Sequence, residues 1–131
     1  MSLRGCVKIS ISDSEMKVME KLWACGHMIS VADVVAALNK DGENWTHQTV
    51  GTFLKRLETK GIVSASKKRK SLYYFPLLSK EQFYAKEADH FLQSKFKGSL
   101  KNFLAAFSSE KELSEDEIQD LKDWFDGINH K

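Results

Sequence analysis

A chain of 131 residues with 42% hydrophobic content, 8 Phe and 3 Trp can pack one domain or two small units around a core, which excludes disorder. No apolar run approaches the roughly 18 residues that cross a membrane, no hydrophobic signal segment opens the chain, and 2 Cys are too few for a disulfide framework; a reducing cytoplasm is expected. The net charge of +2 is unevenly spread: residues 1–76 hold 12 Lys and Arg against 7 Asp and Glu, residues 77–131 hold 8 against 11, so only the first part suits a polyanion.

With 1 Pro and 7 Gly the chain has few breakers, which favours long helices. Five segments open with one device, a capping residue flanked by an apolar pair. The pairs are Ile11/Met16 on Ser12, Ile29/Val34 on Ser30, Trp45/Val50 on Thr46, Leu78/Phe83 on Ser79 and Leu113/Ile118 on Ser114. Ser12, Ser79 and Ser114 also have Glu or Gln three residues later, which completes a capping box.

The first helix is expected over about Asp13 to Cys25, burying Met16, Met19, Leu22 and Trp23 and stopping at Gly26. The second runs from about Val31 to Asn39 with Val34, Val35 and Leu38 inward. A DGEN loop at 41–44 leads to the third, within WTHQTVGTFLKRLETKGIV (45–63). Its apolar residues Val50, Phe53, Leu54 and Leu57 share one face, and it stops at Lys60-Gly61. IVSAS (62–66) and SLYYFPLL (71–78) are rich in β-branched and aromatic residues and flank KKRK (67–70). They read as a β-hairpin with a four-cation turn and with Pro76 just past useful pairing. A helix from near Lys80 to Lys97, a further helical period after Gly98 and a last helix after Ser114 complete the chain.

Three helices followed by a basic hairpin within about 65 residues form a winged helix-turn-helix, in which the third helix enters the major groove of DNA. The fold class is therefore mainly α with a small β-hairpin, with a winged-helix domain over 1–78 and a helical dimerisation region over 79–131. The outward face of the third helix carries His47, Gln48, Thr52, Lys55, Arg56 and Thr59. Imidazole, amide, hydroxyl and guanidinium groups bond base edges and phosphates, whereas carboxylates are repelled. Lys67, Lys68, Arg69 and Lys70 would touch phosphate from the wing. A solvated polar face and a solvated turn explain these features singly; their order and spacing favour the DNA reading. Winged helices also bind proteins, so an adaptor for a protein partner stays open.

WTHQTVGTFLKRLETKGIV resembles the recognition-helix signature of the penicillinase and methicillin-resistance repressor family (BlaI/MecI), through Trp45, Thr46, Thr49, Val50, Thr52, Leu54, Arg56, Leu57, Lys60 and Gly61. ISDSEMKVMEKLW resembles the family's first helix, LYYFPLLSKEQF its wing strand and linker, and FKGSLKNFLAAF with LSEDEIQDLKDW its C-terminal helices, over about residues 9–128. The resemblance implies a homodimeric transcriptional repressor bound to a palindromic operator. Thr46, Thr49, Thr52 and Arg56 would hold the operator backbone, and Gln48 and Lys55, at variable positions, would help set base preference. His47 stands where proline is frequent, and Gly51 where a longer polar residue is frequent.

From Phe83 to Ile128 the helices carry more aromatics than one small unit can easily bury, so Phe91, Phe96, Leu100, Phe103, Leu104, Phe107, Leu121, Trp124 and Phe125 are expected at an isologous dimer interface. A self-contained three-helix core is the alternative. The resemblance also implies release either by copper or by proteolysis in the C-terminal helices, through a sensor or protease. The absence of cysteine after Cys25 rejects the copper branch. For the proteolytic branch the resemblance offers Asn102-Phe103, with the right residues slightly early, and Ala106-Phe107, nearer in position but with another first residue, so that either bond or neither is cut. A small-molecule-responsive repressor of the multiple-antibiotic-resistance type fits less well, since that type has dimer helices at both chain ends.

No cofactor or metal is expected: Cys25-Gly26-His27, even with Cys6, matches no zinc spacing. No catalytic motif occurs, so an enzyme is not expected.

Overall fold

The computed structural model describes residues 10–129. Cys6 and His130 lie outside them. The elements are α1 (Asp13–Cys25), β1 (Ile29–Ser30), α2 (Val31–Lys40), α3 (His47–Thr59), β2 (Val63–Lys68), β3 (Ser71–Pro76), α4 (Lys80–Phe96), α5 (Leu100–Glu110) and α6 (Glu115–Asn129).

The five expected caps all form. Ser12 and Glu15 make the reciprocal capping box of α1. Ser30 accepts from the Asp33 amide and Thr46 from the Thr49 amide. Ser79 with Gln82 and Ser114 with Glu117 exchange bonds in both directions. A sixth cap went unread: Ser99 accepts from the Asn102 amide and starts α5 at 3.0 Å. Gly26 and Gly61 close α1 and α3 with φ of 78° and 83°, a conformation that glycine adopts without steric cost.

The sheet corrects the expected hairpin. It has three antiparallel strands in the order β1-β3-β2. β1 pairs Ile29 with Tyr74 and Ser30 with Tyr73. Two residues directly before a helix cap carry no period-2 signal, so only tertiary pairing reveals that strand. β2 continues through Lys67 and Lys68, which pair with Leu72 and Ser71, and the turn shrinks to Arg69-Lys70. Pro76 is inside the ladder, opposite Val63. It is tolerated because it ends β3, beyond the two residues that β1 covers.

The chain divides into two compact units between His90 and Phe91, inside α4. In the first, Val18, Met19 and Leu22 of α1, Val34 and Leu38 of α2 and Val50, Leu54 and Leu57 of α3 close one core with Ile29, Ile62, Val63 and Tyr74. Met16, Trp23, Val35 and Phe53 are only partly buried at its rim, while Val18 and Glu15 are the inward residues of α1 that the periodic reading missed. Phe83 is also in this core, fully buried, with its ring 5.7 Å from Trp23. It was expected among the surplus aromatics of the C-terminal helices and does not belong there. The Trp23 indole donates to the Leu78 carbonyl at 2.9 Å, fastening the start of α4 to α1.

The second unit is different in kind. From Phe91 onward no described side chain is buried. Phe91, Phe96, Phe103 and Phe107 form a chain of ring contacts with centroids 5.6–6.0 Å apart, yet Phe91, Leu100, Phe107, Leu121, Trp124 and Phe125 stay exposed, Trp124 at 59%. Phe96, Phe103 and Leu104 are half-buried.

Candidate nucleic-acid interface

Burial of Val50, Leu54 and Leu57 fixes the rotation of α3, and the remaining positions follow from 3.6 residues per turn. His47, Gln48, Thr52, Lys55, Arg56 and Thr59 are exposed; Thr49 and Gly51 are half-exposed. The first turn contains no acidic residue, so the positive end of the helix dipole is left free for an anion.

Local contacts hold the N-terminus of α3 rigidly. The Asn39 side chain, near the end of α2, clamps both backbone groups of Trp45: its amide donates to the carbonyl at 3.1 Å and its oxygen accepts from the N–H at 3.0 Å. Nothing in the spacing of the sequence signals this clamp. The Trp45 ring rests on Phe53 at 5.4 Å, and the Lys17 ammonium lies 5.9 Å from that ring. Arg56 covers the Phe53 ring at 5.8 Å, which restrains a long cationic side chain on the outward face.

The threonines are not equivalent. The Thr46 hydroxyl accepts from the Thr49 amide and lies 3.1 Å from the Thr49 hydroxyl. With Thr46 donating in that pair, the Thr49 proton is free for an incoming acceptor. Thr52 and Thr59 donate to the carbonyls of Gln48 and Lys55, four residues back, at 2.9 and 3.0 Å. Either hydroxyl must turn before it can donate to a phosphate.

Charge pairing is unevenly spread over the first unit, where outside α3 and the wing only Lys40 and Lys86 lack an acidic partner among the described residues. Lys17, Lys60 and Lys80 pair with Glu43, Glu15 and Glu20 at 2.8–3.0 Å, and Lys21 pairs with Asp41. Among the described residues, Lys55, Arg56, Lys67, Lys68, Arg69 and Lys70 have no acidic partner, and all are exposed. Arg69 has a φ of 60° in a two-residue hairpin turn, where glycine is at ease and an L-residue costs about 1–2 kcal/mol.

Lys60 proves to be structural. Its ammonium donates to Glu15 Oε1 at 2.9 Å and to the Ser10 carbonyl at 3.0 Å, tying the end of α3 to the start of α1. Glu15 is 3% exposed and its Oε2 has no partner among the described residues. Burial pushes its carboxyl up, but the bonds from Ser12 and Lys60 and the Lys60 charge together outweigh that and hold it below the usual 4.5. A depressed carboxylate contributes stability that is complete above its unfolded value and is lost as pH falls through the folded one. Lys60→Met leaves the carboxylate buried and unpaired, and is expected to cost about 2–3 kcal/mol at neutral pH. Without the Lys60 bond and charge the carboxyl rises relative to the parent protein while the Ser12 bonds remain, so less stability is lost on acidification and the penalty shrinks. Urea unfolding of both proteins from about pH 7 to pH 4 checks this; a pH-independent difference would rule the pairing out as its source.

The Cys25 thiol lies 3.4 Å from His27 Nδ1. No group of three or more metal-ligating side chains occurs among the described residues. No described helix is long and apolar enough to cross a membrane.

The sequence profile described as "Penicillinase repressor" matches residues 11–127. The methicillin resistance regulatory protein MecI of Staphylococcus aureus (strain N315) is 26% identical over 112 residues, 86% of this chain and 89% of that protein. The penicillinase repressor of Bacillus licheniformis is 29% identical over 111 residues, 85% of each chain. That of Staphylococcus aureus is 27% identical over 124 residues, 95% of this chain and 97% of its own. Proteins of this family are DNA-binding regulators rather than enzymes. A match that spans nearly the whole chain, winged helix and C-terminal helices alike, shows that the protein belongs to the penicillinase repressor family.

Proposed function

We propose that the protein is a homodimeric transcriptional repressor that binds a palindromic operator, with α3 in the major groove and the β2–β3 wing on the backbone. The observation that carries this reading is the concentration of unpaired charge: the six exposed cations of α3 and the wing have no acidic partner among the described residues, whereas four of the six other cations described in the first unit do. Thr46, Thr49, Thr52 and Arg56 hold phosphates at the N-terminal and central turns, where the helix dipole adds to the attraction. His47, Gln48 and Lys55 face the base edges. Lys67, Lys68, Arg69 and Lys70 grip the flanking backbone.

Dimerisation through the second unit rests on its unburied apolar side chains, and places two α3 helices against two half-sites. Release by proteolysis within α5 belongs to the same proposal. Both Asn102-Phe103 and Ala106-Phe107 lie inside that helix, so a protease requires it to unwind locally. Immunoblots of induced cells that show only full-length chain would reject cleavage.

Selection from a random duplex library tests operator binding. The expected result is an enriched palindrome whose affinity falls about a thousandfold between 50 and 200 mM salt, as six or more phosphate contacts require. A folded dimer that enriches nothing at low salt would instead favour the protein-adaptor reading.

A further inference from the structure

Gly51 is the fifth of the 13 residues of α3. Glycine is the poorest helix former after proline, so its presence mid-helix needs a reason. The backbone supplies none, because Gly51 is not among the glycines with positive φ. Packing supplies none either: a Cβ added there meets no described atom within 4 Å. A small residue that the protein does not need for itself points to something that approaches from outside.

Its neighbours say what approaches. Gln48 lies one turn before it and Lys55 one turn after, on the same outward face, and together with Gly51 they line a shallow depression that continues past Thr52 to Arg56, Thr59 and Lys60. At Gly51 the lining has no side chain, and a Cβ added there would meet nothing within 4 Å, which leaves room for a small apolar group between Gln48 and Lys55. On the major-groove edge of a base pair, the apolar group that fits such a place is the 5-methyl of thymine. The amide of Gln48 suits a neighbouring adenine, to which it can present a donor and an acceptor together. The wing shows the opposite departure, an arginine at a turn position better suited to glycine. Such local inconsistencies are expected where a surface is built for a partner rather than for folding.

We propose that the notch at Gly51 receives the 5-methyl group of a thymine in each operator half-site and so acts as a specificity determinant. The inference rests on the operator-binding reading. Its test uses the intact chain and Gly51→Ala, each selected against a duplex library at about 0.15 M salt. The site enriched by the unsubstituted protein is then remade with deoxyuridine replacing one thymine at a time, which deletes single methyl groups.

Gly51→Ala is expected to keep the oligomeric state and to melt roughly 3–6 °C higher. It should bind the enriched site about tenfold more weakly. In the unsubstituted protein one thymine per half-site should show a several-fold loss with deoxyuridine, and that loss should vanish in Gly51→Ala. Equal affinity of the two proteins for the enriched site overturns the notch, with operator binding left standing. Equal sensitivity to deoxyuridine at every thymine overturns the methyl assignment. Failure of the unsubstituted protein to enrich any duplex overturns the operator reading and this inference with it.

Discussion

Replacing Leu121 and Phe125 together by Glu is expected to reduce the proposed dimer to a monomer and to weaken binding to the proposed palindromic operator by a factor of about 10²–10⁴. The two residues are one turn apart on α6 and are exposed at 40% and 38% in the single chain; within it the change removes the Phe125 ring contact with Trp124 at 5.0 Å but no fully buried side chain. They border an apolar depression of about 470 Å³ shared with Leu100, Leu104 and Leu113 of the same unit. If α6 lies in the proposed dimer interface, each new carboxylate would be moved out of water there at a large desolvation cost. The large effect on DNA arises because a dimer presents its second α3 at high effective concentration once the first is seated, and a monomer cannot. Analytical ultracentrifugation reads the mass, and titration of full and half operators reads the affinity. A variant that stays dimeric with unchanged affinity would remove α6 from the interface.

Phe83→Ala is expected to destabilise the first unit by about 4 kcal/mol. The ring is fully buried against Trp23, itself fastened by its indole to the Leu78 carbonyl, so the vacated volume has little freedom to collapse. For a unit of this size the melting temperature should fall by more than about 15 °C. Calorimetry of the intact chain measures it. A fall of only a few degrees would show that α4 docks on the first unit by its cap and ion pair alone, through Ser79 and the Lys80–Glu20 contact. The same residue bears on where to divide the protein. A fragment ending at 78, the boundary expected from the sequence, leaves out a side chain that the core of the first unit encloses.

What could be read without coordinates was whatever local chemistry decides. Caps at Ser12, Ser30, Thr46, Ser79 and Ser114 each bond the amide three residues on, so their signal is confined to a few adjacent letters. The 3.6-residue period of Val50, Leu54 and Leu57 likewise fixed which side of α3 faces outward, and hence the polar and cationic surface. Contacts between distant segments were not legible. The strand Ile29–Ser30 exists because Tyr73 and Tyr74 come to lie beside it. Asn39 matters because the chain returns six residues later to place Trp45 against its amide. Glu15 looked like half of a capping box, and it is that, but folding also brings Lys60 to it across 45 residues and buries the carboxylate. Phe83, assigned by its place in the chain to the C-terminal helices, was claimed by the earlier core. Periodicity identifies which face of a helix is apolar; only the tertiary structure decides what that face meets, because hydrophobic attraction is non-directional and takes its partner from topology.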